Sequence, residues 1–215
     1  SVDDLVKKFD AVCLTGGATH ARDLPIPGRD LDGIHLAMEY LPQQNQVLAG
    51  ETFDASQRIT AEGKRVIILG GGDTGADCLG TAHRQGAEII YQYELLPEPP
   101  KERVSNNPWP QWPQVLRTSG AHEEGGISDY NILTKSFTGD NGTVQQLNAV
   151  RVDWNMDPDG RYQMEEIPGS EFTVKADLVL LALGFLHPEH EGMLVQLGLE
   201  LDDRGNVKVD ANRMT

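Results

Sequence analysis

Four apolar residues, Val66-Ile67-Ile68-Leu69, run straight into Gly70-Gly71-Gly72-Asp73-Thr74-Gly75. The spacing of Gly70, Gly72 and Gly75 is the G-x-G-x-x-G turn that joins a buried strand to a helix in dinucleotide-binding folds. Each glycine has a mechanical reason. Gly70 permits the tight turn off the strand. Gly72 lets the main chain approach a pyrophosphate with no Cβ in the way, and Gly75 lets the helix lie close on the strand. A diphosphate then rests on unpaired amides at the positive end of the helix, where Asp73 and Thr74 stand.

The motif alone is weak, so its surroundings matter. Gly63-Lys64-Arg65 reads as a turn into the strand. Asp73 to Gln85 reads as a helix, with Ala76, Leu79, Ala82 and His83 on one face and Gly86 at the C-cap. A second strand is expected at Glu88 to Glu94. Glu94 stands nineteen residues after Gly75, where such folds place the acid that binds a ribose 2′-OH. The competing reading is a glycine-rich turn in some other α/β protein.

Elsewhere, Phe9 to Leu14 reads as a buried strand. Ile34, Ala37, Met38 and Leu41 suggest a helix ending at Pro42, and Ala49 to Gly63 a polar linker. Pro97 to Pro113 carries six prolines in seventeen residues, which excludes a helix or a central strand. It could be a disordered linker, but Trp109 and Trp112 favour an ordered, extended segment whose indoles pack on the domain. Asn131 to Phe137, Val144 to Trp154 and Arg161 to Glu166 alternate as strands, with turns at Gly139–Gly142 and Asp157–Gly160. Ala176 to Gly184 is a second buried strand ending in glycine, and Asp203–Asn206 a last turn. The expected fold class is α/β: a Rossmann-like parallel sheet with helices on its faces, plus an antiparallel β-meander.

Acidic residues outnumber basic ones 33 to 18, a net charge of −15, which disfavours nucleic acid and anionic membrane as partners. No apolar run is long enough to span a membrane. The N-terminus shows no secretory signal, so the expected location is cytoplasmic. Cys13 and Cys78 read as separate buried thiols, and no metal-ligand spacing is present. His122-Glu123-Glu124 lacks a second histidine, and His187-Pro188-Glu189-His190 reads as a loop. Ser119 has no evident partner base nearby.

Several segments together resemble the small (beta) subunits of glutamate synthase, a family of flavoproteins with two dinucleotide-binding domains. They are Ile26-Pro27-Gly28-Arg29-Asp30-Leu31, Gly70 through Cys78, Asn107-Pro108-Trp109-Pro110-Gln111-Trp112-Pro113, Gly169-Ser170-Glu171, and Ala176 through Leu180 with Gly184-Phe185. The Trp-Pro insert is the most specific of these. The family's cysteine-rich iron–sulfur region, its first glycine fingerprint for FAD and its late flavin-contacting Gly-Asp segment have no counterpart here. The resemblance therefore implies a middle piece. Residues 51–185 would be the NAD(P)H-binding domain, and 1–50 and 186–215 incomplete flanks of the FAD domain.

The resemblance implies hydride transfer from NAD(P)H to FAD in the full-length protein, with electrons passing to a large (alpha) subunit that makes glutamate. Such transfer needs placement rather than a protein acid or base, so no catalytic residue is expected. The expected contacts are Gly70, Gly71, Gly72, Asp73, Thr74, Gly75 and Glu94, with Gly184 admitting a ring at a strand end. Glu94 favours NADH; Lys101 and Arg103 could instead clamp the 2′-phosphate of NADPH. The alternative is a nucleotide-binding or docking module without its own turnover. Flanks cut from a larger domain would expose apolar surface and favour self-association.

Overall fold

The computed structural model describes residues 2–157, 159 and 161–215. In chain order its elements are α1 (Val2–Lys8), β1 (Ile34–Leu36), α2 (Ala37–Leu48), β2 (Arg65–Leu69), α3 (Asp73–Arg84), β3 (Ile89–Tyr93), α4 (Gly120–Glu124), β4 (Ile127–Asp129), β5 (Ile132–Asp140), β6 (Thr143–Met156), β7 (Tyr162–Glu166), β8 (Phe172–Lys175), β9 (Leu178–Leu181) and α5 (Met193–Gln196). The chain divides into two compact units. One is Asp23–Leu183; the other joins the residues up to Arg22 with Gly184–Thr215.

The first unit is built on a parallel sheet of five strands in the order β1-β9-β2-β3-β4. β9, and β2 beyond Arg65, are apolar throughout because both faces of a parallel sheet are covered. Successive side chains in a strand point to opposite faces. Val66 and Ile68 of β2 and Leu178 and Leu180 of β9 therefore join one core with Tyr40 of α2 and Cys78, Leu79 and Ala82 of α3. Ile67, Leu69, Val179 and Leu181 join the other core, with Phe137, Val144, Leu147 and Ala149 of the antiparallel strands. Thus helices α2 and α3 cover one face and the meander covers the other. Burial pushes the Cys78 thiol up to about 12, as befits an inert core residue.

The meander is centred on β6, which pairs with β5 and β8 along its first part and with β7 along its second. The β5–β6 hairpin turns on Asn141 (φ 51°) and Gly142 (φ 80°), the two positive-φ positions of a type I′ turn. The turn expected at Asp157–Gly160 includes Pro158 and Gly160, which lie outside the described residues.

Three expectations change. Phe9 to Leu14 forms no strand: Val12 is 41% exposed, and Cys13 is exposed rather than buried. An apolar run becomes a strand only where a neighbour takes up its backbone hydrogen bonds, and no described strand pairs with this one. Ile34 opens an edge strand, not a helix, and α2 carries Pro42 in its interior instead of stopping there. The bond that Pro42 forfeits is to the carbonyl of Met38, an exposed residue. Because β1 and α2 belong to the sheet unit, the division falls after Arg22 rather than near residue 50.

The second unit contains α1, α5 and two isolated bridges, Ala21 with Phe185 and Leu201 with Val207. His187 stacks on His20 and His190, with ring centroids 4.5 and 4.2 Å apart. Its exposed apolar residues include Phe9, Val195 and Met214.

Candidate functional site

The glycine turn follows β2 at the carboxyl edge of the sheet. Gly70 has φ 121°, a conformation that disfavours side chains, and a Cβ there would run into the Ala182 carbonyl of the adjoining strand end. A Cβ at Gly75 would press on the Gly70 carbonyl and stand 2.6 Å from Gln92 Nε2. Gly72 differs: nothing lies within 4 Å of the place its Cβ would take. Two glycines are thus required by packing, and the third faces open space where a ligand can come close.

Gly72 is also the N-cap of α3, and no side chain caps it. The first amides of the helix are left for an external acceptor. At the other end Gly86 (φ 84°) closes the helix, its N–H bonding His83 O at 2.9 Å while Ala87 N–H bonds Ala82 O at 3.1 Å. This Schellman closure satisfies the C-terminal carbonyls, so the unsatisfied polarity is concentrated at the glycine end.

Glu94 leaves the end of β3 and turns back to the fingerprint. Its Oε2 accepts the Gly71 N–H at 2.6 Å and its Oε1 the Leu96 N–H at 3.1 Å. The acid expected to read a ribose is therefore fixed against the turn itself. Beyond it opens a cleft of about 810 Å³, lined by Gly71, Gly72, Asp73, Glu94 and the return of the proline-rich strap. Asp129 forms a bidentate pair with Arg151, at 2.6 and 3.1 Å, on its far wall. Hydrogen bonds from Arg151 hold the Asp129 carboxyl below its ordinary range. Trp154 Nε1 donates to Leu95 O at 3.0 Å, tying β6 to the exit of β3.

The strap between β3 and α4 has no regular element up to Ser119, as its prolines require. Its indoles do not pack on the domain: Trp109 is 83% and Trp112 74% exposed. The anchor is Asn107, 5% exposed, whose side chain bonds Gln111 Oε1, Trp112 O and the Gln114 N–H. Arg103 belongs to the same knot, since its Nη1 donates to Asn107 O at 2.9 Å and Gln111 O at 3.0 Å. Arg103 and Lys101 do not line the cleft; Arg117 does, stacked 4.3 Å over the Trp112 ring.

The structure thus brings Gly70–Gly75 and Glu94 together and leaves Arg103 aside. Gly184 lies in the other unit, left-handed at φ 81°, with open space where a Cβ would be. Ser119 does have a base: His122 Nδ1 is 2.8 Å from its hydroxyl. The two form a capping box for α4, with histidine at the position where Glu or Gln usually sits. Among the described residues no cluster could hold a metal ion, and no helix is long and apolar enough to cross a membrane.

No family model matches the chain. It is 50% identical over 210 residues to the glutamate synthase [NADPH] small chain of Mycobacterium tuberculosis, covering 96% of this chain and 42% of that one. It is 47% identical to the glutamate synthase [NADH] of Schizosaccharomyces pombe, covering 96% of this chain and 10% of that one. The chain therefore spans about two fifths of the length of the small chains it matches. Among solved structures, FprA of Mycobacterium tuberculosis in complex with NADPH superposes with a TM-score of 0.65 at 14% identity, over 99% of this chain and 57% of FprA. Thioredoxin reductase of T. acidophilum gives 0.53 at 18% identity, over 93% and 51%. These two likenesses show a shared fold.

Proposed function

We propose that this homologue of one segment of the glutamate synthase small chain is the part that holds the pyridine nucleotide in a longer flavoprotein oxidoreductase. The observation that carries the reading is the uncapped start of α3 behind a turn whose packing demands Gly70 and Gly75 and leaves Gly72 open. Main-chain amides at Asp73 and Thr74 would take the diphosphate. From there the coenzyme's adenosine half would run over β3 and β4 into the cleft, and its nicotinamide half toward the end of β9. Residues of this chain bind and orient; none is needed to move a proton. The coenzyme, when bound, supplies a hydride, and in the parent protein FAD would receive it. Passage of electrons to a large subunit, and the synthesis of glutamate there, belong to the same proposal, as does a cytoplasmic location.

The contacts proposed are Gly70 through Gly75 and Glu94. Arg103 is replaced by Arg117, because Arg117 lines the cleft while two carbonyls hold the Arg103 guanidinium off it. Glu94, steadied by two amides, is set to accept a free ribose diol and to repel a 2′-phosphate. The preferred coenzyme is therefore NADH. Calorimetry on this chain with NADH and NADPH tests both parts. Tighter NADH binding is expected, tighter NADPH binding would reverse the coenzyme choice, and silence with both would end the reading. Without the rest of the flavoprotein, binding without turnover is the expected behaviour of the chain.

A further inference from the structure

A hydrogen-bonded chain runs under the fingerprint and plays no part in the reading above. Gln92 projects from β3, 3% exposed, and its Nε2 donates to the Gly70 carbonyl at 2.9 Å. A carbonyl only accepts, so the amide's oxygen must face the other way. That oxygen lies 2.9 Å from His122 Nε2. His122 Nε2 must then carry a proton, and Nδ1, at which the Ser119 N–H is aimed, must be a lone pair. The lone pair meets the Ser119 hydroxyl at 2.8 Å and the Ser119 N–H at 3.3 Å. Donors and acceptors alternate without conflict from the end of the strap to the first glycine of the turn.

The Gly70–Gly71 peptide needs such a hold. Flanked by two glycines, it is free of the Cβ restraints that would otherwise fix its orientation. In a trans peptide the C=O and the N–H point in opposite directions. With Gln92 gripping the Gly70 C=O from below, the Gly71 N–H is directed to Glu94 Oε2, at 2.6 Å. Turned over, the peptide would lose both bonds and aim a carbonyl oxygen at the Glu94 carboxylate and at the cleft that Gly71 and Glu94 line. A diphosphate approaching the turn would then meet a carbonyl oxygen on the side where the peptide now presents its N–H.

We propose that Gln92, His122 and Ser119 are positioning residues for the coenzyme, locking the Gly70–Gly71 peptide in its binding orientation through the neutral Nε2–H form of His122. This rests on the nucleotide-binding reading. The test uses the whole chain, with NADH and ADP-ribose titrated by calorimetry and nitrogen-15 spectra recorded on the same samples. His122→Phe removes the donor to Gln92 and should weaken both ligands about ten-fold, about 1.4 kcal/mol. It should also displace the Gly71 amide resonance while leaving those of β5 to β8 in place. His122→Gln, which keeps an N–H donor, should recover most of the affinity. The wild-type imidazole should show a proton on Nε2.

Wild-type affinity in a folded His122→Phe chain, or a proton on Nδ1 in the wild type, overturns the proposal. If His122→Phe fails to fold, the wild-type tautomer and the His122→Gln titration decide it. A wild-type chain that binds neither ligand defeats the nucleotide-binding reading itself. Binding by the wild type with indifferent variants defeats the relay alone.

Discussion

Alanine at Gly75 and alanine at Gly72 should separate two jobs done by one motif. At Gly75 the new methyl would press on the Gly70 carbonyl and on Gln92 Nε2 at 2.6 Å. Gln92 is buried between β3 and α3, so neither group can swing away. Overpacking of this kind costs about 1–3 kcal/mol. Losing the buried Gln92–Gly70 bond adds about 1–3 kcal/mol, and the better helix propensity of alanine returns about 1 kcal/mol. The net loss is about 1–5 kcal/mol, and a unit of this size loses about 2–4 °C of Tm per kcal/mol. At Gly72 the methyl would enter open space, and the backbone there (φ −83°, ψ −175°) suits alanine. Gly72→Ala should therefore melt within a few degrees of wild type. It nonetheless sets a methyl where the diphosphate must lie, and NADH affinity should fall ten-fold or more, at least about 1.4 kcal/mol. Scanning fluorimetry and calorimetry on the two variants measure both effects. Unchanged NADH binding in Gly72→Ala, or a Gly75→Ala chain as stable as wild type, would refute the division of labour.

Glu94→Gln should narrow the gap between NADH and NADPH, since it removes the charge that repels a 2′-phosphate; paired titrations measure the ratio. Hydrogen bonds from Arg65 to Asp177, at 2.5, 2.7 and 2.9 Å, hold that carboxyl below its ordinary value of 3.8. The folded state then binds fewer protons than the unfolded one. The stabilisation is present above the unfolded pKa and is lost as pH falls through the lower, folded one. Asp177→Asn should flatten that acid limb in urea melts, and an unchanged limb would count against the pairing. The unit holding Phe9, Val195 and Met214 should drive self-association, seen as concentration-dependent elution in size-exclusion chromatography. A monomer at every concentration would show that this surface is inert.

The strand, glycine turn and helix were legible because their causes are local. Val66 to Leu69 must be buried, Gly70 must take a positive φ, and Gly86 must close the helix two residues after Arg84. The hairpin at Asn141-Gly142 was legible for the same reason. Misreadings fell where the cause is a distant partner. Phe9 to Leu14 has the composition of a strand but, among the described residues, no strand to pair with. Ile34 falls in helical spacing with Ala37, Met38 and Leu41, yet it lies beside β9, more than a hundred residues away in the chain, and opens an edge strand instead.

The strap shows most clearly why the site was harder to read than the fold. Arg103 and Arg117 are both basic residues of one proline-rich segment, and nothing in their immediate neighbours distinguishes them. What separates them is where the strap's carbonyls hold them. Those of Asn107 and Gln111 keep the Arg103 guanidinium off the cleft, while Arg117, donating to the Pro113 carbonyl at 3.2 Å, stacks on Trp112 at the cleft wall. Asn107, a small polar residue between prolines and tryptophans, decides the matter, because its buried amide fixes the coil from Gln111 to Gln114. Because the strap contributes no strand to the sheet, a change in its coil can exchange the cation at the cleft and leave the core intact. On the proposed reading, the phosphate grip is written in the glycine turn, and the choice of coenzyme in Glu94 and in the cation that the strap presents beside it. Asn107→Ala should accordingly disturb the choice between NADH and NADPH more than the melting temperature, and paired titrations with a thermal melt would decide whether it does.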